Sequence, residues 1–471
     1  MRYTGPFLVA PRITPVLDPA FRPAALARRA FHNAALQSGR SRPVTAAIEQ
    51  PDGTVCHFHT EILPPDHPHA GANVFFVERW LKFLLWSRGG HRIYLTGPDD
   101  LADELGRFYA LRPTGRFDAQ MMGEKIYGRP FEVLHCAAEE LPPPKGRTQP
   151  LGRNLDGCRI GFDLGGSDRK VAAVREGEVV FSEETVWDPI PQKDPQWHFD
   201  QIQDSLKKAA AHLPRVDAIG GSAAGVYVNN RVRVASLFRG VPPDLFRSRV
   251  KDLFIDLRKA WNNIPFEVVN DGEVTALAGS MAIDDNAVLG VALGTSTAGG
   301  YVTPEGGITT WLNELAFVPV DYQQEAAVDE WSGDAGCAMK YFSQQCVGRL
   351  VGVAGIGVPS EMPLPETLKH VQGLMADGDY RARKIYETIG VYLGYTLVHF
   401  ADFYEYRHIL ILGRVTSGPG GQIILDEARR VLDEEFPELS PQVKFQIPGE
   451  KEKRHGQAIA AASLPSTAGV V

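Results

Sequence analysis

Apolar and polar positions alternate with a short period through much of the chain. In "GFDLGGSDRKVAAV" (161–174) an apolar run reaches an acidic residue at Asp163, meets Gly165-Gly166-Ser167, and resumes after Lys170. This is the pattern of a hairpin with a bare turn, and "RKVAAVREGEVVFSEET" prolongs it into an antiparallel meander. "DSLKKAAAHL" reads as a helix, and "VDAIGGSAAGVYV" as a strand running into a loop of small residues. "FEVVNDGEVTALAGSMA" (266–282) predicts a strand, a polar turn and a helix; "AVLGVALGTSTAGGYVTPEGGI" (287–308) predicts a second Gly-rich hairpin. Ile385, Ile389, Leu393, Leu397 and Phe400 share one face of a long helix that precedes the strand "HILILG" (408–413).

The first 140 residues follow another pattern. "VTAAIEQPDGTVCHFHTEIL" (44–63) is a hairpin around Pro51-Asp52-Gly53, and "FFVERWLKFLLW" (75–86) is an amphipathic or buried helix. "HRIYLTGPDDLADELGRFYAL" (91–111) predicts strand, turn and capped helix. Residues 1–140 are therefore expected to form a small α/β domain, in which no motif specifies chemistry. The Pro-rich stretch around 141–154 cannot hold a helix or a central strand and reads as a linker.

Composition narrows the classes. A chain of 471 residues exceeds one ordinary core, so two or three domains are expected. A net charge of −8 argues against nucleic acid or an anionic membrane as partner. There is no run of 18 apolar residues and no basic-then-apolar leader after Met1, so neither a membrane span nor a signal peptide is expected. Five cysteines (Cys56, Cys136, Cys158, Cys337, Cys346), none in a Cys-x-x-Cys pair, fit a reducing cytoplasm.

Three stretches carry candidate chemistry. Backbone N–H groups at Gly165, Gly166 and Ser167, and at Gly294, Thr295 and Ser296, can converge on phosphate oxygens because no bulky Cβ intervenes. The hydroxyls of Ser167, Thr295, Ser296 and Thr297 add donors, and Asp163 can hold a hydrated Mg²⁺ between phosphates. Taken alone, each hairpin reads more readily as an ordinary glycine turn. Asp271, closing a β-rich run and opening a helix, is placed either as a general base for an alcohol attacking phosphorus or as a helix cap.

The order of the pieces adds to this. DLGGS, GGSAAGVYV, NDGE, LGTSTAGG, ELAF, SGDAGC and LILGRVTSG, over about residues 156–464, resemble the ROK family of sugar kinases and sugar-responsive repressors. The resemblance implies an α/β, actin-like ATPase (ribonuclease H-like) two-lobe fold with a nucleotide cleft. Its lobes would span 155–283 and 284–471, with the C-terminal helix returning to the first lobe. DLGGS matches the first phosphate motif, LGTSTAGG the second, and LILGRVTSG, with Gly413, the adenosine side; NDGE matches the stretch whose Asp, here Asp271, is the kinases' base. Even "GCAMKYFS" (336–343) keeps the family's spacing. The activity so implied is that of an ATP- and Mg²⁺-dependent phosphotransferase acting on a hydroxyl of a sugar or polyol. Its alternatives are a non-catalytic sensor and a scaffold that kept only the fold. A homodimer is implied by the resemblance alone. The sensor alternative lacks a helix-turn-helix pattern, since residues 1–140 are β-containing.

Departures from the family's pattern set further expectations. Of four structural zinc ligands only Cys337 survives, too few for a tetrahedral site, so no structural zinc is expected. Asp329, Glu330 and Asp334 then read as charges on a solvated loop, with Trp331 as its apolar anchor. Of the sugar-contacting set Asn270, Asp271 and Glu314 remain, while Phe317 and Met339 replace a histidine and a glutamate. These two are expected to give the acceptor pocket an apolar wall that disfavours glucose, mannose and N-acetylmannosamine. Arg414 stands where a second glycine is common, either crowding the nucleotide or exposed on its loop.

Overall fold

In the computed structural model, which describes residues 2–146, 151–446 and 450–467, the N-terminal region folds around a four-stranded sheet. Its elements are α1 (Ala24–Gln37), β1 (Arg42–Glu49), β2 (Val55–Ile62), α2 (Asn73–Arg88), β3 (Arg92–Leu95), α3 (Asp99–Leu111), α4 (Pro113–Gln120) and β4 (Glu132–His135). The strand order is β2-β1-β3-β4. The turn through Pro51-Asp52-Gly53 sets the β1/β2 register, Glu49 opposite Val55. Helix α2 is surrounded: Phe75 to Arg88 are all buried, the charged Glu78, Arg79, Lys82 and Arg88 included.

This region does not own a separate core. Phe31, Phe76 and Trp86 belong to one apolar cluster with Phe317, Tyr341, Ile389 and Tyr392 of the C-terminal half. The chain before α1 runs along that half. The Ile13 N–H donates to the Tyr395 hydroxyl at 3.2 Å and to Glu435 at 2.9 Å, and the Ala24 N–H donates to the Val320 carbonyl at 2.9 Å. The flanks of the Pro-rich stretch are also paired, Lys145 with Val55 and Leu151 with Ile308; residues 147–150 lie outside the described residues. The small α/β unit expected over residues 1–140 is thus docked on the second lobe, where its apolar faces are completed.

The first lobe starts with the predicted meander, β5 (Cys158–Leu164), β6 (Asp168–Arg175) and β7 (Glu178–Val186). It continues with α5 (Pro195–Ala210), β8 (Ala218–Ala223), the hairpin β9 (Val226–Val228) and β10 (Arg231–Val234), and a single turn α6 (Pro243–Leu245). Then come α7 (Leu253–Ala260), β11 (Phe266–Asn270) and α8 (Asp271–Ile283). Its sheet runs β11-β8-β5-β6-β7, with the first three strands parallel.

The second lobe contains β12 (Val288–Leu293), β13 (Thr297–Val302), α9 (Met339–Phe342), α10 (Gln344–Val353) and α11 (Leu364–Ala376). After these come α12 (Tyr380–Ala401), β14 (His408–Leu412), α13 (Pro419–Glu435) and β15 (Lys444–Gln446), in sheet order β13-β12-β14-β15. The last helix, α14 (Glu450–Ala462), crosses back onto the first lobe's sheet. Gly161 and Gly220 permit that approach: a Cβ on either would lie 1.8 or 1.7 Å from a carbonyl oxygen of α14. Among the described residues no helix is long and apolar enough to cross a membrane.

Candidate active site

Parallel pairing brings the carboxyl ends of three strands to one edge: Leu164, Ala223 and Asn270 are in register on β5, β8 and β11. In open α/β sheets ligands bind beyond such an edge. Asp163 stands one residue inside it, buried, and accepts a hydrogen bond from the Ser222 hydroxyl at 2.6 Å. Lys170, its cross-strand partner, brings its Nζ to 4.0 Å from Asp163 and 3.4 Å from Asp168. Burial pushes the Asp163 carboxyl above its ordinary range, opposed by Ser222 and Lys170.

At the neighbouring strand end the cap and the acid separate. The Gly272 N–H donates to Asn270 Oδ1 at 2.7 Å, so Asn270 caps α8, while its Nδ2 donates to the Gly225 carbonyl at 2.7 Å. Asp271 is therefore not needed as the cap and receives only a local 3.0 Å hydrogen bond from Gly272. Burial first, then the charge of Asp163, pushes its pKa up to about 6. The first turn of α8 lies directly on the second lobe: a Cβ at Gly300 would sit 2.0 Å from the Gly272 carbonyl oxygen. Asp271 consequently stands at the junction of the two lobes.

Each of the two hairpins closes on its own backbone. The Gly165 N–H donates to the Asp168 carbonyl and the Gly294 N–H to the Ser296 carbonyl, both at 3.0 Å. These two N–H groups close their own turns, which corrects the expectation that they face phosphate. Those of Gly166, Ser167, Thr295 and Ser296 sit at exposed tips outside either ladder. Neither Gly166 nor Gly294 has left-handed backbone, and an added Cβ would come no closer than 4.0 and 3.6 Å to any neighbour. The fold itself would accept a side chain at both, so their bareness leaves a cradle open to a ligand. The Thr297 hydroxyl is buried without a partner beside the second tip. These features fit a nucleotide's phosphates, and the carboxyls of buried Asp163 and half-buried Asp271 fit a hydrated Mg²⁺ that would neutralise them. Gly413 has a different reason to be glycine: with φ +105, a Cβ there would lie 2.4 Å from the Leu293 carbonyl oxygen, at the root of the second hairpin. Arg414 is exposed on its loop.

Asn270 lines a cavity of about 80 Å³, whereas the next residue, Asp271, is not among its lining residues. The first lobe lines it with Tyr227, Asn270 and Glu273, and the second lobe with Trp311 and Glu314. Burial, with the charge of Asp271, pushes the Glu314 carboxyl up to about 7. Glu273, also held at about 7 by burial, accepts from Asn313 Nδ2 and from the Tyr301 N–H at 3.2 Å.

Phe317 and Met339 do not line this cavity. Phe317 is 3% exposed and packs against Trp86 at 4.2 Å, Trp331 at 5.4 Å and Phe117 at 5.7 Å between ring centroids; Met339 is 6% exposed in the same cluster. The expected apolar wall of the acceptor pocket is thereby corrected. Phe317 is covered by Trp86 and Phe117 of the docked N-terminal unit.

The loop 329–337 is corrected as well. Asp329 and Asp334 are buried, not solvated. Asp334 lies 2.8 Å from Arg79 and 2.9 Å from Lys82 of α2, and Lys82 also meets Asp118 at 3.0 Å. Despite burial, Arg79 and Lys82 hold the Asp334 carboxyl well below the usual range. Trp331 is 58% exposed, so buried ion pairs, rather than that ring, secure the loop. Burial pushes the Cys337 thiol up to about 12. Among the described residues no group of three or more His, Cys, Asp or Glu side chains is placed to hold a metal ion.

No protein-family model matches the sequence, and no curated protein is significantly similar to it. Solved structures are similar. The ROK hexokinase of Thermus thermophilus superposes with a TM-score of 0.50, covering 65% of this chain and 97% of the hexokinase at 16% identity. A ROK family transcriptional regulator, homologue of the E. coli MLC protein, gives a TM-score of 0.52 over 66% of this chain and 79% of the regulator at 20% identity. The chain has the ROK fold. About a third of the chain lies outside these superpositions.

Within the ROK fold several site residues escape a sequence reading. Ser222 lies in the small-residue stretch "GGSAAG", where nothing marks its bond to Asp163. Trp187 braces the first hairpin, its Nε1 donating to the Gly165 carbonyl at 2.8 Å and its N–H to the Ser167 carbonyl at 3.1 Å, with no motif around it. Glu273 was hidden because a glutamate in a first helical turn is ordinary.

Proposed function

We propose that this chain is a divergent ROK protein that transfers a phosphoryl group from MgATP to a hydroxyl of a sugar or polyol. The observation that carries the reading is Asp271: freed from capping by Asn270, held near pKa 6, and set between Asp163 and Glu314 at the lobe junction. The fold shared with the Thermus hexokinase supports it. The tips at Gly166-Ser167 and Thr295-Ser296 would hold the phosphates, and Asp163 the hydrated Mg²⁺. MgATP, when bound, would supply the phosphoryl group, and its Mg²⁺ would offset the negative charge between Asp163 and Asp271.

Asp271 then accepts the proton of the acceptor hydroxyl as that oxygen attacks the terminal phosphorus. The new bond is oxygen to phosphorus; the bond broken joins that phosphorus to the bridging oxygen of ADP. Asn270 and Glu314 orient the acceptor, and approach of the lobes excludes water. The test is an ATP-consumption screen over sugars, polyols and aminosugars, with Asp271→Asn as control. Acceptor-dependent ADP release that Asp271→Asn loses is expected. Absence of any MgATP or MgADP binding by the folded protein would sink the reading.

A further inference from the structure

We propose that the N-terminal unit is the third wall of the acceptor site, and that its Asp52 selects against acceptors bearing negative charge. This rests on the phosphotransferase reading for what the site does, but not for where the wall stands.

The cavity beside Asn270 and Glu314 is closed by Gln50, Asp52 and Tyr127, all from the N-terminal unit. The wall is anchored to the site by backbone. The last carbonyls of a helix have no partner within it. In α2 those of Trp86, Ser87 and Arg88 accept successive N–H groups of Glu314, Asn313 and Leu312 at 3.0, 3.0 and 3.2 Å. The backbone of Glu314 is thus held by the N-terminal unit. Gln50 adds a cross-link, its Nε2 donating to the Arg88 carbonyl at 2.8 Å and the Thr310 carbonyl at 3.1 Å.

Tyr127 is seated by a glycine: at Gly89, φ +74, a Cβ would lie 1.9 Å from the Tyr127 hydroxyl. The next residue abuts the first lobe, since a Cβ on Gly128 would lie 3.8 Å from Arg233 Nη1. The unit therefore touches both lobes at the mouth of the cavity.

Charge then sets the acceptor class. Asp52, Glu267, Glu273 and Glu314 line the cavity with acidic side chains, and Asp271 follows the lining residue Asn270 in the chain. Among the described lining residues there is no Lys, Arg or His. Asp52 is exposed in its turn, where its Oδ1 accepts the Thr54 N–H at 3.0 Å; among the described residues it forms no ion pair within 4.0 Å, although the Lys145 Nζ lies 3.5 Å from where a Cβ of the next residue, Gly53, would stand. A polyol carrying a phosphate or carboxylate meets like charge on this wall; an uncharged or amine-bearing polyol does not.

The test uses the full chain and Asp52→Lys, with Asp52→Asn, which keeps the turn's hydrogen-bond acceptor, and Asp66→Lys elsewhere on the same unit as control. Binding of glucose, glucosamine, N-acetylglucosamine, sorbitol and glucose 6-phosphate is measured by calorimetry beside MgADP affinity and ATP consumption. The expected result is at least one uncharged or amine-bearing member bound about tenfold or more tighter than glucose 6-phosphate. Asp52→Lys should shrink that ratio about tenfold, Asp52→Asn less, and Asp66→Lys not at all, with MgADP affinity unchanged in all. An unchanged ratio in Asp52→Lys, equal binding of glucose 6-phosphate by the wild type, or no binding of any panel member would overturn the proposal. Selective binding without ATP consumption would defeat the phosphotransferase reading and leave the wall standing. ATP turnover whose acceptor ranking ignores Asp52 would do the reverse.

Discussion

The indole of Trp86 lies 4.2 Å, centroid to centroid, from the ring of Phe317, joining a helix of the N-terminal unit to the second lobe. Truncating either ring opens a void that both units line. Phe317→Ala should therefore cost about 3–5 kcal/mol in urea unfolding, the range for large core aromatics. Phe317→His should likewise destabilise and should not improve glucose use, because the position faces Trp86 and not the acceptor. Improved glucose turnover in a stable Phe317→His protein would show that the ring reaches the site after all.

Asp334 is the second tie between the units. Replacing it by Asn leaves Arg79 and Lys82 buried with reduced compensation, and loss of one partner from a buried pair costs about 3–5 kcal/mol. Asp66→Asn, which removes an ion pair to Arg40 with both side chains exposed, should change stability by less than about 1 kcal/mol. Comparable losses of Tm in the two variants would contradict the assignment.

For the hairpins, Gly294→Val should leave the fold near wild-type stability, since the nearest atom to an added Cβ is 3.6 Å away. It should weaken MgADP binding tenfold or more by filling the cradle. Titration of the folded variant decides this, and unchanged affinity would mean that the second hairpin is only a turn.

Activity should follow the ionisation of Asp271. A base must be unprotonated to accept a proton, so kcat/KM should fall as pH drops below about 6. Asp271→Asn should lose about 10²–10⁴-fold in kcat, the usual contribution of a general base, with MgADP binding intact. A flat profile from pH 5 to 8 would remove Asp271 from that role.

The same burial gives a stability signature. Glu314 titrates near 7 when folded and near 4.5 when unfolded, so the folded state binds its proton more tightly. Its contribution is full below the unfolded value and is lost as pH rises through about 7. Glu314→Gln should therefore raise Tm at pH 8 and leave it nearly unchanged at pH 5. A Tm gain of equal size at both pH values would rule out charge burial as its cause.

Short-range pattern was enough to determine the two glycine hairpins, the β11–α8 junction at Asn270-Asp271, helix α12 and the β1/β2 turn, because each depends on neighbours along the chain. It also brought out, through the order of the motifs, the ROK fold that the solved structures share. Residue type alone left Asn270 and Asp271 interchangeable as cap and base, and only the hydrogen bonds of Gly272 assigned the capping role to Asn270. The fates of Phe317, Asp334 and Asp52 were decided by tertiary structure. Their partners, Trp86, Arg79 and the cavity edge, lie far away in sequence or across a unit boundary. Periodicity reports which face of an element is apolar but not what covers it. Docking of the N-terminal unit converted an expected pocket wall into core, a solvated acidic loop into a buried ion pair, and a surface turn into a side of the candidate acceptor site.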